Sequence, residues 1–210
     1  MVQNLIFDWG GVLSVSQHQE AVDRFSSLGL PHAETYFVEG KNWGGIFGQV
    51  EDGTITVEAF LKEVSSLCRQ EITFEQIAYA WWGFFSHLPQ GMLRQLEAWK
   101  SQGYRIYMLT NNNPFMMSFI RSEGFAPEGK PFYAYFDKLF VSCEIGLSKP
   151  NRDIYQYVLD DEKLDPAETV FVDDRRQNLI GAEAVGMHTF HVEESESWIE
   201  PFKAFLRTFP

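Results

Sequence analysis

Five short apolar runs recur along the chain, and most of them stop at a polar residue. "NLIFD" (4–8), "YRIYMLT" (104–110), "KLFVS" (138–142), "TVFVD" (169–173) and "HTFHV" (188–192) are too short for helices and rich in β-branched and aromatic side chains. Most are apolar at every position rather than at alternate ones, as befits strands covered on both faces. Helical patterns separate the later runs. "GMLRQLEAWKSQG" (91–103) spaces Leu93, Leu96 and Trp99 by threes, and "PFMMSFIRSEG" (114–124) places Pro114 in its first turn. Gly103 and Gly124 are the expected stops. "NRDIYQYVLDDEK" (151–163) and "RQNLIGAEAVG" (176–186) complete the alternation. Strands alternating with helices predict an α/β fold, a doubly wound parallel sheet.

Residues 16–88 break the rhythm. They fall between the first two runs and are far too long for a single crossover. Their patterns are helical: "HQEAVDRFSSLG", "TVEAFLKEVSSLC" and "TFEQIAYAWWGFF". Thr56 with Ala59, and Thr73 with Gln76, supply N-caps, the second pair as a capping box. The expected organisation is an α/β core of residues 1–15 and 89–210, with residues 16–88 inserted as a small α-helical cap. Trp81, Trp82, Phe84 and Phe85 are read as packing of the cap or its hinge rather than as substrate contacts. A chain of 210 residues with 45% hydrophobic content is long enough to bury such a core.

In an open α/β sheet, ligands bind beyond the carboxyl ends of the strands. The predicted strand ends gather Asp8, then Thr110 and Asn111, then Lys149 of "GLSKP", then Asp173 and Asp174. Like charges about 4 Å apart repel by roughly 4 kcal/mol at an effective dielectric near 20. Three ionised carboxylates therefore call for a cation, and oxygen ligands favour Mg²⁺. Lys149, the Thr110 hydroxyl and the backbone around Trp9, Gly10 and Gly11 suit a phosphate, since glycine lets the main chain approach an anion closely.

Together these segments resemble the haloacid dehalogenase-like (HAD) hydrolases, over nearly the whole chain. "FDWGGVL", "MLTNNN", "GLSKPNRDIY" and "VFVDDRRQN" are similar to that family's four motifs, in order, and the helical insert lies where the family carries a cap. The resemblance implies a Rossmann-like core and a set of roles. Asp8 would be the nucleophile that forms an aspartyl-phosphate. Thr110 and Asn111 would bind the phosphoryl group, and Lys149 would neutralise Asp8 and the phosphate. Asp174 is favoured over Asp173 as the direct Mg²⁺ ligand, with Asp173 the close second, joined by Asp8 and the Gly10 carbonyl. Asn178 is read as a residue of the following helix, with support of the site as the lesser alternative.

The resemblance departs at Gly10. Most phosphatases of the family carry there a second aspartate, which protonates the leaving group and then activates water. Losing a general acid/base costs about 10²–10⁴ in rate. Three resolutions stand. The substrate could have a good leaving group, as in sugar 1-phosphates or acyl phosphates; bacterial sugar-1-phosphate phosphatases, the subgroup this chain most resembles, also have glycine here. A cap residue could supply the proton, with His18, Glu20 and Glu51 as candidates that spacing does not separate. Or the protein could bind a phosphorylated ligand or a partner without turnover. A haloacid dehalogenase needs no second acid, but it also needs no Mg²⁺ and leaves Asp173 and Asp174 unexplained.

The net charge of −12, from 17 basic and 29 acidic residues, sets an acidic surface against nucleic acid and anionic membrane. Cys68 and Cys143 stand far apart with no metal-binding spacing, so reduced thiols and a cytoplasmic location are expected. No signal peptide or membrane span is expected, and the oligomeric state is left open. The sequence thus predicts a Mg²⁺-dependent phosphatase of a small phosphorylated metabolite.

Overall fold

The computed structural model describes residues 1–37 and 43–209. Along the chain, β1 (Asn4–Phe7) and β2 (Val15–Ser16) lead into a helical insert. The insert holds α1 (Gln19–Ser27), α2 (Ala33–Tyr36), α3 (Gly45–Asp52), α4 (Val57–Cys68) and α5 (Phe74–Trp82). The chain returns through β3 (Phe85–His87), α6 (Met92–Ser101), β4 (Arg105–Thr110) and α7 (Pro114–Ile120). It continues through β5 (Lys138–Val141), α8 (Ser142–Ile145), α9 (Arg152–Glu162), β6 (Thr169–Asp173), α10 (Arg176–Glu183), β7 (His188–His191) and α11 (Ile199–Leu206).

β5, β4, β1, β6 and β7 form one parallel sheet in that order. Each strand matches one of the five apolar runs, trimmed by at most a residue at each end. Alternation of side chains sorts the sheet into two apolar faces. Leu5, Phe7, Ile106, Met108, Val170 and Val172 join one cluster with α6, α11 and the insert. Ile6, Tyr107, Leu109 and Phe171 join the other with α9 and α10. Both faces are thus covered, which is why the runs are apolar throughout. Phe7 shows the density of packing: Trp99 stacks on it at 5.4 Å, and Trp198 and Phe202 each lie 5.8 Å away.

β2 and β3 pair antiparallel and bracket the insert. The expected caps form: Thr56 accepts from Ala59 N, and Thr73 and Gln76 complete a capping box. The insert shares the apolar cluster of one sheet face, with Trp81 stacked on Phe115 of α7 at 5.5 Å. Trp81, Trp82, Phe84 and Phe85 do pack as expected, each within an aromatic network, although Trp81 and Phe84 also line the cavity described below.

Several features differ from the sequence reading. α7 ends at Ile120 instead of reaching Gly124, because the carbonyl and hydroxyl of Ser122 both accept from Phe125 N and turn Phe125 into the aromatic cluster. α3 was not legible as a helix, since "GIFGQVED" holds two glycines and little periodicity. α11 lies beyond the last recognised strand, where Trp198 and Phe202 close over Phe7. Among the described residues, no helix is long and apolar enough to cross a membrane.

Candidate active site

β1 and β6 carry their ladder one step past the last paired residue of β1, with Asp8 N donating to Val172 O at 3.0 Å. That step sets the Asp8 carboxylate at the carboxyl edge of the sheet, nearly buried. Asp8 Oδ1 accepts from Trp9 N at 2.7 Å and pairs with Lys149 Nζ at 2.9 Å. Lys149 is buried too, and its ammonium meets Asp173 Oδ2 at 2.7 Å. Burial alone would push this lysine down, but Asp173 and Asp8 hold its pKa above the ordinary value.

Asp173, at the end of β6, is fully buried and fully engaged. Besides Lys149, it accepts from Arg175 N at 2.8 Å and from Asn178 Nδ2 at 3.0 Å on each oxygen. It anchors the lysine between two carboxylates. Asn178, at the start of α10, is therefore a support of the site, the alternative the sequence reading ranked second. Asp174 is less buried and its carboxylate packs over Gly11. A Cβ on Gly11 would lie 2.6 Å from Asp174 Oδ2, and Gly11 has φ +75°. Glycine is needed there both for the backbone and for the room.

The turn after β1 closes on itself. Ser14 N and Oγ bond Trp9 O at 2.8 and 3.1 Å, and Gly11 N donates to Ser14 O at 2.9 Å. Those bonds leave the Gly10 carbonyl out, whereas the Gly11 amide is taken. Trp198 Nε1 donates to Val12 O at 3.1 Å and fixes the turn from below.

Thr110 ends β4, buried, with its hydroxyl 3.4 Å from Asn111 O and 3.5 Å from Asn112 Nδ2. Both contacts are at the limit for hydrogen bonds. Asn111 differs from its neighbour. Its side chain bonds Lys149 O and Lys149 N, each at 2.8 Å, so it holds the lysine loop while lining the cavity described below.

One carboxylate oxygen from each of Asp8, Asp173 and Asp174 lies within 4.8 Å of the others. Burial, opposed by Lys149 and reinforced by Asp173 and Asp174, pushes Asp8 up to about 7. Burial and Asp173 likewise raise Asp174. One lysine does not neutralise this triad, and the donor set is all oxygen, so the residues fit a small hard cation. Asp8, Asp174 and the Gly10 carbonyl have capacity for it; Asp173 is occupied.

These groups open into a cavity of about 470 Å³, a size usual for small-molecule sites. Its floor includes Asp8, Thr110, Lys149 and Asp174, and its walls come largely from the insert: His18, Trp43, Glu51, Trp81 and Phe84. Of the three candidate proton donors, His18 and Glu51 line it, and Glu20 instead bonds Arg24 at 2.8 Å on α1. Arg175 lines it as well, a cation visible in "VFVDDRRQN" that the sequence reading did not single out. Burial, then the charge of Asp52, pushes the Glu51 carboxyl up to about 8.

Known proteins are similar to this chain. The family described as haloacid dehalogenase-like hydrolase matches residues 2–186. A D-ribitol-5-phosphate phosphatase from Bacteroides thetaiotaomicron is 35% identical over 99% of this chain and 100% of its own. A predicted HAD-like family hydrolase from Porphyromonas gingivalis superimposes with a TM-score of 0.89 at 32% identity, covering 99% of this chain and 98% of that one. A HAD-family enzyme from Bacteroides thetaiotaomicron, solved with magnesium and inorganic phosphate, gives 0.85 at 29% identity, covering 96% and 100%.

Proposed function

The chain belongs to the haloacid dehalogenase-like hydrolases, and from that premise we propose that it is a Mg²⁺-dependent phosphatase of a small phosphorylated metabolite, working through an aspartyl-phosphate on Asp8. The observation that carries this reading is the Asp8 carboxylate at a strand end, paired with buried Lys149 and open to a cavity beside Asp174.

Mg²⁺ held by Asp8, Asp174 and the Gly10 carbonyl would offset the charge of the acids and the phosphate. The protein's own groups do the rest. Lys149, pinned by Asp173 and Asn111, favours the ionised form of Asp8 and balances the phosphoryl oxygens. The Thr110 hydroxyl donates to one of those oxygens, and the backbone of Trp9 and Gly10 borders them. An Asp8 oxygen attacks phosphorus and the bond from phosphorus to the ester oxygen breaks. Water then attacks phosphorus, the bond to Asp8 breaks, and inorganic phosphate leaves.

The helical insert acts as the cap that chooses the substrate. Its aromatic wall suits the carbon face of a small polyol, and Trp81, whose indole N–H is buried without a partner among the described residues, offers a donor to a hydroxyl. The D-ribitol-5-phosphate phosphatase relative supports a phosphate on a primary alcohol. Sugar 1-phosphates, implied by Gly10, form the competing class, with a leaving group that needs less protonation.

Assay of a panel of polyol 5-phosphates, sugar 1-phosphates and acyl phosphates with Mg²⁺ tests the reading. Wild-type protein should release phosphate from at least one class, and Asp8→Asn should lower that rate by about a thousand-fold or more. Unchanged activity in Asp8→Asn would remove Asp8 from the mechanism.

A further inference from the structure

We propose that Glu51, reaching over from the insert, is the general acid and base that the core lacks at Gly10. This rests on the phosphatase reading above and adds the missing proton carrier to it.

The geometry begins at the end of α3. Ser142 Oγ donates to Glu51 O at 2.6 Å, and Ser148 Oγ donates to Asp52 Oδ1 at 2.5 Å. Gly53 follows with φ +73°, its backbone so close to Cys143 that an added Cβ would come within 2.4 Å of Cys143 O. These three contacts dock one end of the insert on the segments that build the site. Ser142 also accepts from Asn112 N at 2.9 Å, and Ser148 immediately precedes Lys149. The end of α3 that carries Glu51 is therefore tied to the segments that lead to Lys149 and Asn112.

Glu51 stands among charges from several elements. Asp52 lies beside it, Arg175 comes from the turn after β6, and Asp8 and Lys149 face it from the floor. Cys143, on α8, is also within reach of its charge. Burial and the two acids favour the neutral carboxyl, while Arg175 and Lys149 favour the anion. A group poised between both forms near neutral pH is suited to give a proton and take it back. His18 shares the cavity but packs edge-on against Phe84 with ring centroids 5.4 Å apart.

The steps balance. As Asp8 attacks and the ester bond breaks, the alkoxide takes the proton of Glu51 and leaves as alcohol. The Glu51 carboxylate then removes a proton from the water that attacks the aspartyl-phosphate. Phosphate and the Asp8 carboxylate are regenerated, and Glu51 is again protonated.

Such a role shows in the leaving group. Glu51→Gln keeps the size of the side chain and removes its proton. Its kcat/KM on a polyol 5-phosphate should fall by about 10²–10⁴. On 4-nitrophenyl phosphate, whose leaving group needs no proton, kcat/KM should change by less than about tenfold. There it should give a burst of about one nitrophenolate per chain followed by slow turnover, because the second step still lacks its base. The wild-type fall of kcat/KM above about pH 8 on the polyol ester should vanish in the variant. Gly10→Asp can be added, since a Cβ there meets only Ser16 Oγ at 3.5 Å. In the Glu51→Gln background it should restore turnover of the polyol ester.

Equal kcat/KM losses on both substrates, or no loss on either, would overturn the proposal, as would a His18→Ala variant that shows the leaving-group pattern in place of Glu51→Gln. Wild-type protein that hydrolyses neither substrate would instead overturn the phosphatase reading, and this proposal with it.

Discussion

Gly10 and Gly11 are adjacent and do different things. Gly11 is fixed by its left-handed backbone and by Asp174, which occupies the space of a Cβ. Gly11→Ala must displace that carboxylate or strain the turn. The expected outcome is a Mg²⁺ affinity weaker by about 10–100-fold, in line with losses of groups that orient metal ligands. Magnesium titration of activity, or calorimetry with Mg²⁺ alone, measures it; an unchanged affinity would take Asp174 out of the metal site. Gly10 has neither constraint. It is glycine without a steric reason, and the proton carrier is therefore sought across the cavity. Asp173 and Asn111 repeat the point that residue type does not settle role. Both read as ligand-binding groups in the sequence, and in the fold both also hold Lys149.

At the scale of elements, α3 decides whether the cavity has its carboxyl. Its end hangs on Ser142, whose hydroxyl serves Glu51 O and Asn112 N together. Ser142→Ala strands those buried groups and should cost about 1–3 kcal/mol in denaturant unfolding. A loss near zero would mean that the docking is idle. Glu51 itself links this docking to pH. Its carboxyl titrates at about 8 in the fold against 4.5 ordinarily. Between those values the folded chain binds a proton that the unfolded chain does not. Glu51 therefore contributes stability that is whole below 4.5 and is lost as pH rises through about 8. Glu51→Gln removes that loss. Its melting temperature should gain on the wild type as pH rises from about 5 to about 9, and parallel curves would contradict the shift.

For the whole molecule, the parallel sheet was legible because β1, β4, β5 and β6 are buried on both faces and leave continuous apolar runs. The carboxyl ends of those strands carry Asp8, Thr110, Asp173 and Asp174, and Lys149 follows β5 in the "GLSKP" segment, so these residues are legible as a group in the sequence. What was hidden lies in tertiary contacts. α3 has two glycines and no clear period, so nothing local announced that a helix end would bring Glu51, rather than Glu20, into the cavity wall. The division of labour between Asp173 and Asp174 follows from which one Lys149 and Asn178 reach. The closing of Trp198 and Phe202 over Phe7 depends on the last helix folding back beneath β1. All of these converge on one carboxylate. Rapid acid quench within the first turnover on a hydrolysed phosphate ester, followed by peptide mass spectrometry, tests it directly. A phosphoryl group should appear on the peptide bearing Asp8, on Asp8 itself, and none in Asp8→Asn. Phosphate released through the first turnover with no adduct on Asp8 at any time point would contradict it.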